Sequence, residues 1–592
     1  MSLDALRLAN FKAFGPSQRV PLRPITLVFG ANSSGKSSIL HAIALAHHAV
    51  ETGDLDTQRT RVGGESIDLG GFRQYVHRGQ LDSQVEMAFE LDPGKLSGKL
   101  ASMLGASRLP VVDLAIGGGI AYKYETISGR RDLEAERVFG GPGLERFTLE
   151  VDGALMLSMS MRAGGDLRLD RLDHAHPAFR EILRGILALT TTTQTLREED
   201  FDRLAPVLDR LAPDTTARRE GLFPQIESPN AEETGTSNRL LPVSSGRRQE
   251  DLARAAELLL PTALHDLVSG LSTALEDEIR RLRYLGPLRS YPPRHLAFSQ
   301  HHDANWFAGG GYAWDVVRTR KDIRDRVNQW LGDADRMKTP YELQVRDLLP
   351  ADTLSPHLAA GLTDSLEDLT RRLLVKMEGE DRSEALSLAL ESARYELEFG
   401  TADIGDLSDI AVAELVGSLV DAEPTSEEWV RRIVKARREI IQDLVLIDKR
   451  STTPVSHRDV GIGVSQVLPV LVSAYASTGK LIAIEQPEIH LHPKLQAELG
   501  DVFLESALGE AGNRFLIETH SEHLILRILR RIRETTEGDE GAYPVKPEDV
   551  AVLYVQPGSE GAEVVHIPIT PDGDFEQRWP DGFFAERAEE LF

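Results

Sequence analysis

Apolar residues recur along the chain with two different periods, and the changes of period divide it. Leu6, Leu8 and Phe11 mark an opening strand that runs into Asn10-Phe11-Lys12-Ala13-Phe14. Ile25 to Phe29 is a short β-prone run behind Pro24, and Ile39, Leu40, Ile43, Ala44 and His47 then follow at helical spacing. From Val85 to about Arg162 the period is two. Val85 to Leu91, Phe147 to Val151 and Leu155 to Met161 alternate, and Asp152-Gly153 joins the last two as a hairpin turn in which glycine supplies the positive φ. Helical periods return in Phe179 to Leu187 and in Leu252 to Leu282, and Tyr284-Leu285-Gly286-Pro287-Leu288-Arg289 reads as strand and turn.

Residues 320 to about 445 read as helices of ordinary length with no sustained heptads, which predicts a compact lid and not a coiled-coil arm. No repeat of fixed period is present. The expected divisions are 1–175 (first part of a nucleotide-binding head with an antiparallel β subdomain), 176–285 (helical insertion), 286–450 (lid), 451–534 (second part of the head) and 535–592 (small tail with β character). Within the insertion, 212–248 is rich in Pro, Thr, Ser, Asn, Glu and Arg and reads as irregular.

Composition narrows the function classes. The 592 residues contain no cysteine, which excludes disulfides, cysteine-ligated metal and cysteine nucleophiles, and fits a reducing cytoplasm. The net charge of −26 argues against a surface that coats nucleic acid nonspecifically. With no run of about 18 apolar residues and no basic-then-apolar start, the expectation is a chain that neither spans a membrane nor is secreted.

Between the apolar run and the helix lies Gly30-Ala31-Asn32-Ser33-Ser34-Gly35-Lys36-Ser37, followed by Ser38, which fits G-x-x-x-x-G-K-[ST]. Strand, glycine loop and helix form the context this motif needs, because the backbone must wrap a phosphate chain with helical N–H groups pointing into the wrap. Lys36 would reach the β- and γ-phosphates, and the Ser37 hydroxyl would sit on Mg²⁺.

Three motifs follow late in the chain. In Gly461-Ile462-Gly463-Val464-Ser465, two glycines precede a serine that reads as an N-cap. Leu481 to Ile484 is an apolar strand that delivers Glu485 at its C-terminal edge, where α/β sheets bind ligands, so Glu485 is placed for Mg²⁺. Gln486 and Glu488 come next. His490 and His492 lack a third metal ligand of convincing spacing and read better as a loop at a contact. Phe515 to Glu518 is another strand, ending in Thr519-His520-Ser521, where His520 is placed for a γ-phosphate. No nucleophile elbow accompanies these residues, which argues against a serine–histidine hydrolase.

The ordered set of phosphate loop, glycine–serine helix start, strand with acid and strand with histidine resembles the nucleotide-binding domains of the ABC/SMC superfamily of ATPases. More narrowly, Asn10 to Phe14, Tyr284 to Arg289, Gly463 to Pro469, Glu485 to Pro493 and Glu518 to His523 look like motifs of bacterial AAA-type predicted ATPases related to the OLD family. Trp579-Pro580-Asp581-Gly582-Phe583-Phe584 resembles a small tail domain of unknown function found in some of them. The resemblance implies an α/β fold, a P-loop NTPase head of ABC/SMC type with a mixed, mostly parallel sheet, an antiparallel β subdomain and a large helical insertion. It also implies ATP and Mg²⁺ as cofactors. Two heads would sandwich ATP, with the loop 30–37 in cis and Gly463 and Ser465 in trans. Glu485 and Gln74 would serve the metal, and His520 would sense the γ-phosphate.

One departure stands out. Many members have Asp-Glu where this chain has Glu485-Gln486, so the water-polarising position is an amide, and Glu488 is the nearest replacement carboxylate. Slow hydrolysis suited to a switch is expected.

The leading functional expectation is an ATP-driven switch that forms a homodimer or higher homo-oligomer through its heads. It would act on a separate effector protein or on DNA or RNA, in a setting such as bacterial antiphage defence, without a membrane. The alternative is an OLD-like ATP-gated nuclease, for which the stretch beyond Glu534 is short and Asp572-Gly573-Asp574 reads as a turn. The absence of long heptads and of cysteine argues against a chromosome-organising ATPase with arms. The lack of an LSGGQ-type sequence argues against a transporter motor. Arg527, Arg530, Arg531 and Arg533 form a basic helix face whose expected role is a solvated surface near acidic neighbours.

Overall fold

A computed structural model describes residues 3–105, 107–118, 120–125, 134–139, 141–162, 166–188, 198–212, 215–218, 221–226, 248–289, 305–333, 336–348, 441–455, 462–538, 543–577 and 579–580. The chain divides into two compact units. The first comprises 1–292, 300–342 and 448–592, and the second 293–299 and 343–447, of which only 343–348 and 441–447 are described. The expected lid therefore lies largely outside the described residues, as does most of the irregular segment 212–248.

The first unit begins with strands β1 (Leu3–Ala9), β2 (Gln18–Pro21) and β3 (Ile25–Gly30), helices α1 (Lys36–Thr52) and α2 (Phe72–Tyr75), strand β4 (Val85–Leu91) and helix α3 (Gly98–Leu104). Strands β5 (Pro110–Gly117), β6 (Ile120–Glu125), β7 (Glu134–Phe139), β8 (Gly143–Val151), β9 (Ala154–Met161) and β10 (Leu167–Leu172) follow. Next come α4 (Pro177–Ala188), α5 (Glu198–Leu211), β11 (Thr216–Arg218), β12 (Gln225–Ile226), α6 (Arg248–Ile279), β13 (Leu282–Leu285), α7 (Tyr312–Thr319) and α8 (Lys321–Gly332). Strands β14 (Tyr341–Leu348) and β15 (Ile441–Asp448) belong almost wholly to the second unit, and β16 (Thr453–Val455), α9 (Ile462–Ala476), β17 (Leu481–Glu485), α10 (Pro493–Leu508), β18 (Arg514–Glu518), α11 (Glu522–Thr536), β19 (Val550–Pro557) and β20 (Ala562–His566) complete the first.

Two sheets organise this unit. A nine-stranded antiparallel sheet runs β12-β11-β10-β9-β8-β5-β4-β1-β2. It contains the period-two stretch, and the turn at Asp152-Gly153 takes positive φ at both residues, the requirement of a two-residue hairpin loop. The second sheet has the order β13-β17-β18-β3-β19-β20 and is parallel except for its last pair. Every residue of β3, β17 and β18 except Arg514 is buried, as expected of strands covered on both faces.

The helices bury one side each. α11 places Leu524, Ile525, Ile528, Leu529 and Ile532 inward against α10, and burial of each such side chain contributes about 1.5–3 kcal/mol. α6 contains the stretch Leu252–Ile279, which is long and apolar enough by composition to cross a membrane, contrary to the expectation that no such run exists. Its apolar side, including Leu260, Leu264, Leu267, Leu271 and Leu275, belongs to the buried core.

The C-terminal residues differ from expectation. β19 pairs in parallel with β3 from Val550↔Ile25 to Val555↔Gly30, so 550–566 extends the central sheet and is not a separate tail. The Trp579 ring meets Phe29, Tyr554 and Phe575 edge-on, with centroids 5.0–6.0 Å apart. Residues 572–574 form a turn, closed by Thr570 N–H donating to the Asp574 carbonyl.

Candidate nucleotide site

The loop 30–37 springs from the end of β3, the strand flanked by β18 and β19. Two glycines are required by close approach. A Cβ on Gly30 would lie 2.3 Å from the Val555 carbonyl oxygen, and one on Gly35 would lie 2.4 Å from Ala13 Cβ. Both residues also have positive φ (+149° and +103°), which L side chains rarely adopt. Ala13 is held by the 10–15 turn, whose Ala13 carbonyl accepts from Ala562 N–H at 2.7 Å. The motif Asn10 to Phe14 thus forms the floor on which the loop rests.

Ala31, Asn32 and Ser33 are exposed, whereas Ser34 and Ser38 are buried. α1 starts behind Gly35 without any side-chain cap on its first N–H groups. Lys36 is only 4% exposed, and its Nζ donates to the carbonyls of Gly30 (3.0 Å) and Ala31 (2.8 Å). Burial lowers its pKa, opposed by the charges of Glu518 and Glu488.

The Ser37 hydroxyl donates to Glu518 Oε2 at 2.7 Å. Glu518 and Glu485 are direct partners in the parallel register of β18 and β17, so two buried carboxylates lie side by side at the C-terminal sheet edge. Burial pushes the Glu518 carboxyl up to about 7, and the Glu485 charge adds to this; the Ser37 bond and Lys36 pull the other way. Glu485 Oε1 accepts from Tyr284 OH at 2.8 Å, and His41 Nε2 lies 3.6 Å from it. Lys12 Nζ reaches His41 Nδ1 (2.7 Å) and the Asp68 carbonyl (3.2 Å), and burial brings its pKa down to about 8.

Beyond β17 the chain turns sharply. Gln486 is half-buried with φ +46°, and its N–H donates to the Glu518 carbonyl at 2.7 Å. Glu488 is buried and accepts the His520 backbone N–H at 2.6 Å. Burial raises its pKa, opposed by that bond. The His520 imidazole is half-buried, and burial together with the Lys36 charge lowers its pKa.

The sequence-predicted residues Lys36, Ser37, Glu485, Gln486, Glu488 and His520 are therefore brought together. Gln74 sits exposed on α2, with its side chain folded over Gly70. Ser465 departs from expectation. α9 begins at Ile462, so Ser465 lies inside the first helical turn and is 1% exposed, not an N-cap open to solvent. Gly463 approaches the far side of the Gln486 turn, 3.3 Å from the His490 carbonyl oxygen to a built Cβ. His492 caps α10, its Nδ1 accepting the Lys494 N–H, and among the described residues no group of three His, Asp or Glu gathers as a metal site.

Sequence reasoning missed Glu518, Tyr284, His41 and Lys12. All except His41 lie in stretches already singled out for resemblance, but their roles depend on which strands become neighbours. The arginine face of α11 is engaged within the fold. Arg527 and Arg531 pair with Asp501, Arg527 also with Glu498, Arg530 and Arg531 with Glu534, and Arg533 with Asp574. Acidic neighbours thus neutralise the basic stripe.

The residues present fit the ligands the motif calls for. The Ser34 hydroxyl is buried inside the loop without a hydrogen-bond partner among the described residues, and the α1 N–H groups open beside it, an arrangement that suits phosphate oxygens. Ser37, Glu485 and Glu518 offer hard oxygen donors of the kind Mg²⁺ takes.

The central sheet places β18 between the phosphate-loop strand β3 and the acid strand β17, with an antiparallel sheet alongside in the same chain. This is a P-loop NTPase fold of ABC/SMC type. Comparisons agree with the class. Residues 280–527 match a family described as "AAA domain, putative AbiEii toxin, Type IV TA system", and residues 5–135 match an "AAA domain" family. Residues 545–592 match a "Protein of unknown function (DUF3696)". Two AAA-domain family models thus match segments on either side of the insertion, and neither spans half of the chain.

No curated protein matches it. Among solved structures it is similar to an Smc head bound to the C-winged helix domain of ScpA, at 8% identity and TM-score 0.32, covering 96% of this chain and 98% of that one. It is also similar to an Smc head domain with an extended coiled coil bound to the C-terminal domain of ScpA, from Pyrococcus furiosus, at 9% identity and TM-score 0.31, covering 100% and 98%. Overall likenesses of that size carry no argument; the class rests on strand order, site and family matches.

Proposed function

We propose that this protein binds and slowly hydrolyses Mg-ATP as a conformational switch whose heads pair around the nucleotide to regulate a partner or a nucleic-acid transaction. The observation that supports this most is the convergence of Lys36, Ser37, Glu485 and Glu518 at the ends of the adjacent strands β3, β17 and β18. The loop and the α1 N–H groups hold phosphates. Lys36 exchanges its carbonyl partners Gly30 and Ala31 for phosphate oxygens. Ser37, Glu485 and Glu518 hold Mg²⁺, which neutralises developing phosphate charge when bound. Gln486 orients water, and Glu488 supplies the nearest buried carboxylate.

Pairing of heads through Gly463 and Ser465 requires the first turn of α9 to be uncovered, since Ser465 is buried in the single chain. That requirement suits a switch that is shut until triggered. A role in antiphage defence and a separate effector follow from the resemblance to bacterial AAA-type ATPases. The cysteine-free composition supports a cytoplasmic setting.

Nucleotide binding and steady-state phosphate release test the reading together. Glu488→Gln keeps an acceptor for the His520 N–H while removing the charge. It is expected to bind ATP as the wild type does and to turn over about a hundredfold more slowly, the usual cost of one charge-stabilising group, about 3 kcal/mol. Wild-type turnover in this variant would remove Glu488 from the mechanism.

A further inference from the structure

The segment Tyr284 to Arg289 has no role in the reading above, yet it touches three parts of the site. β13 pairs with β17 in parallel, Tyr284 opposite Ala483 and Leu285 opposite Ile484. Tyr284 OH then reaches forward to the Glu485 carboxylate. Five residues on, Arg289 is 5% exposed, and its hydrogen bonds among the described residues go to main-chain oxygens. Nη2 donates to the carbonyls of Glu485 (3.0 Å) and Gln486 (3.2 Å), and Nη1 to that of Gln466 in α9 (3.4 Å). Gln466 answers, its Nε2 donating to the Arg289 carbonyl at 3.2 Å.

One guanidinium therefore spans the first turns of α9 and the bend that carries Gln486 in its strained positive-φ conformation. Burying a cation costs free energy that packed apolar side chains would not, so stability alone is weak grounds for one here. Its fork of donors suits the task, since a planar group can hold two carbonyls from one element and a third from another.

We propose that Arg289 is a positioning residue for hydrolysis, locking the Glu485–Gln486 bend to the start of α9 so that movement of the Ser465 turn is felt at the water-orienting amide. The proposal rests on the Mg-ATP reading. Its signature is a loss of turnover without a loss of nucleotide, because the groups that hold phosphate lie on β3 and α1, which Arg289 does not contact through these bonds.

The test uses the full chain and measures three quantities: the Kd for a fluorescent N-methylanthraniloyl ATP analogue, kcat for ATP, and the melting temperature without nucleotide. Arg289→Met is expected to lower kcat at least about tenfold with Kd within about threefold of wild type. Arg289→Lys, which keeps the charge but not the fork, should recover part of the loss. Gln466→Leu, which removes only the reciprocal bond, should lower kcat in the same direction by less. Wild-type kcat in folded Arg289→Met overturns the proposal, and so does a rise in Kd that parallels the fall in kcat. If the Arg289 variants do not fold, Gln466→Leu decides, and an unchanged kcat there overturns it. Failure of the wild-type chain itself to bind the analogue overturns the Mg-ATP reading, an outcome distinct from either.

Discussion

Lys36→Ala is expected to lose ATP binding, with the dissociation constant rising at least about a hundredfold while the protein stays folded. The ammonium lies against the phosphate-loop carbonyls of Gly30 and Ala31, already stripped of most of its water. Phosphate oxygens offer it stronger, charge-assisted bonds, and removal of such a partner typically costs about 3 kcal/mol or more. The apo fold should tolerate the change, because only two carbonyl bonds are lost and a desolvated cation goes with them. Titration calorimetry with ATP and Mg²⁺, alongside a melting curve, reads both quantities. Unchanged affinity in a folded Lys36→Ala protein would sink the site assignment altogether.

Glu518→Gln is expected to make the nucleotide-free protein more stable at alkaline pH, by about 3 kcal/mol, while impairing turnover. The Glu518 carboxyl is raised from 4.5 to about 7 by burial and by the neighbouring Glu485 charge. Below pH 4.5 both folded and unfolded chains carry the proton, and no deficit exists. Between 4.5 and 7 the unfolded chain releases it first, so stability falls as pH rises. Above about 7 the whole deficit is present. Glutamine cannot ionise, and its amide still takes the Ser37 hydroxyl. The variant should therefore melt several degrees higher than wild type at pH 8, with the gap closing as pH falls toward 4.5. Equal melting temperatures at pH 8 would show that Glu518 is not held against its ionisation. A deficit built into an acid at the ligand edge is what a site completed by a cation predicts, since stability is given up where function needs charge.

Much of this was legible locally. The strand–loop–helix of 25–47 could be read from periodicity and glycine placement, because each depends on neighbours a few residues away. The same holds for the hairpin at Asp152-Gly153 and for the apolar strands at 481–485 and 514–518. Three things were not legible in that way. Ser465 looked like an N-cap because serine favours that place, but α9 starts at Ile462 and its packing buries the serine. Glu518 was passed over for His520, since nothing within its own strand shows that Ser37 lies beside it. His490 and His492 read as a loop at a contact, and only the start of α10 shows that His492 caps a helix.

The sequence by itself determined the kind of site: a phosphate loop, an acid at a strand end, an amide where a carboxylate is usual. These are properties of residue type and short spacing. The tertiary structure decided which residues share that site. Residues 550–555 became a core strand only by pairing with 25–30. Glu485 and Glu518 became a carboxylate pair only through the register of β17 and β18. Arg289 became a brace only when Gln466 and Gln486 were folded to either side of it. Parallel sheets are built from partners hundreds of residues apart, and their hydrogen bonds join main chains whatever the side chains are, so no local pattern announces them.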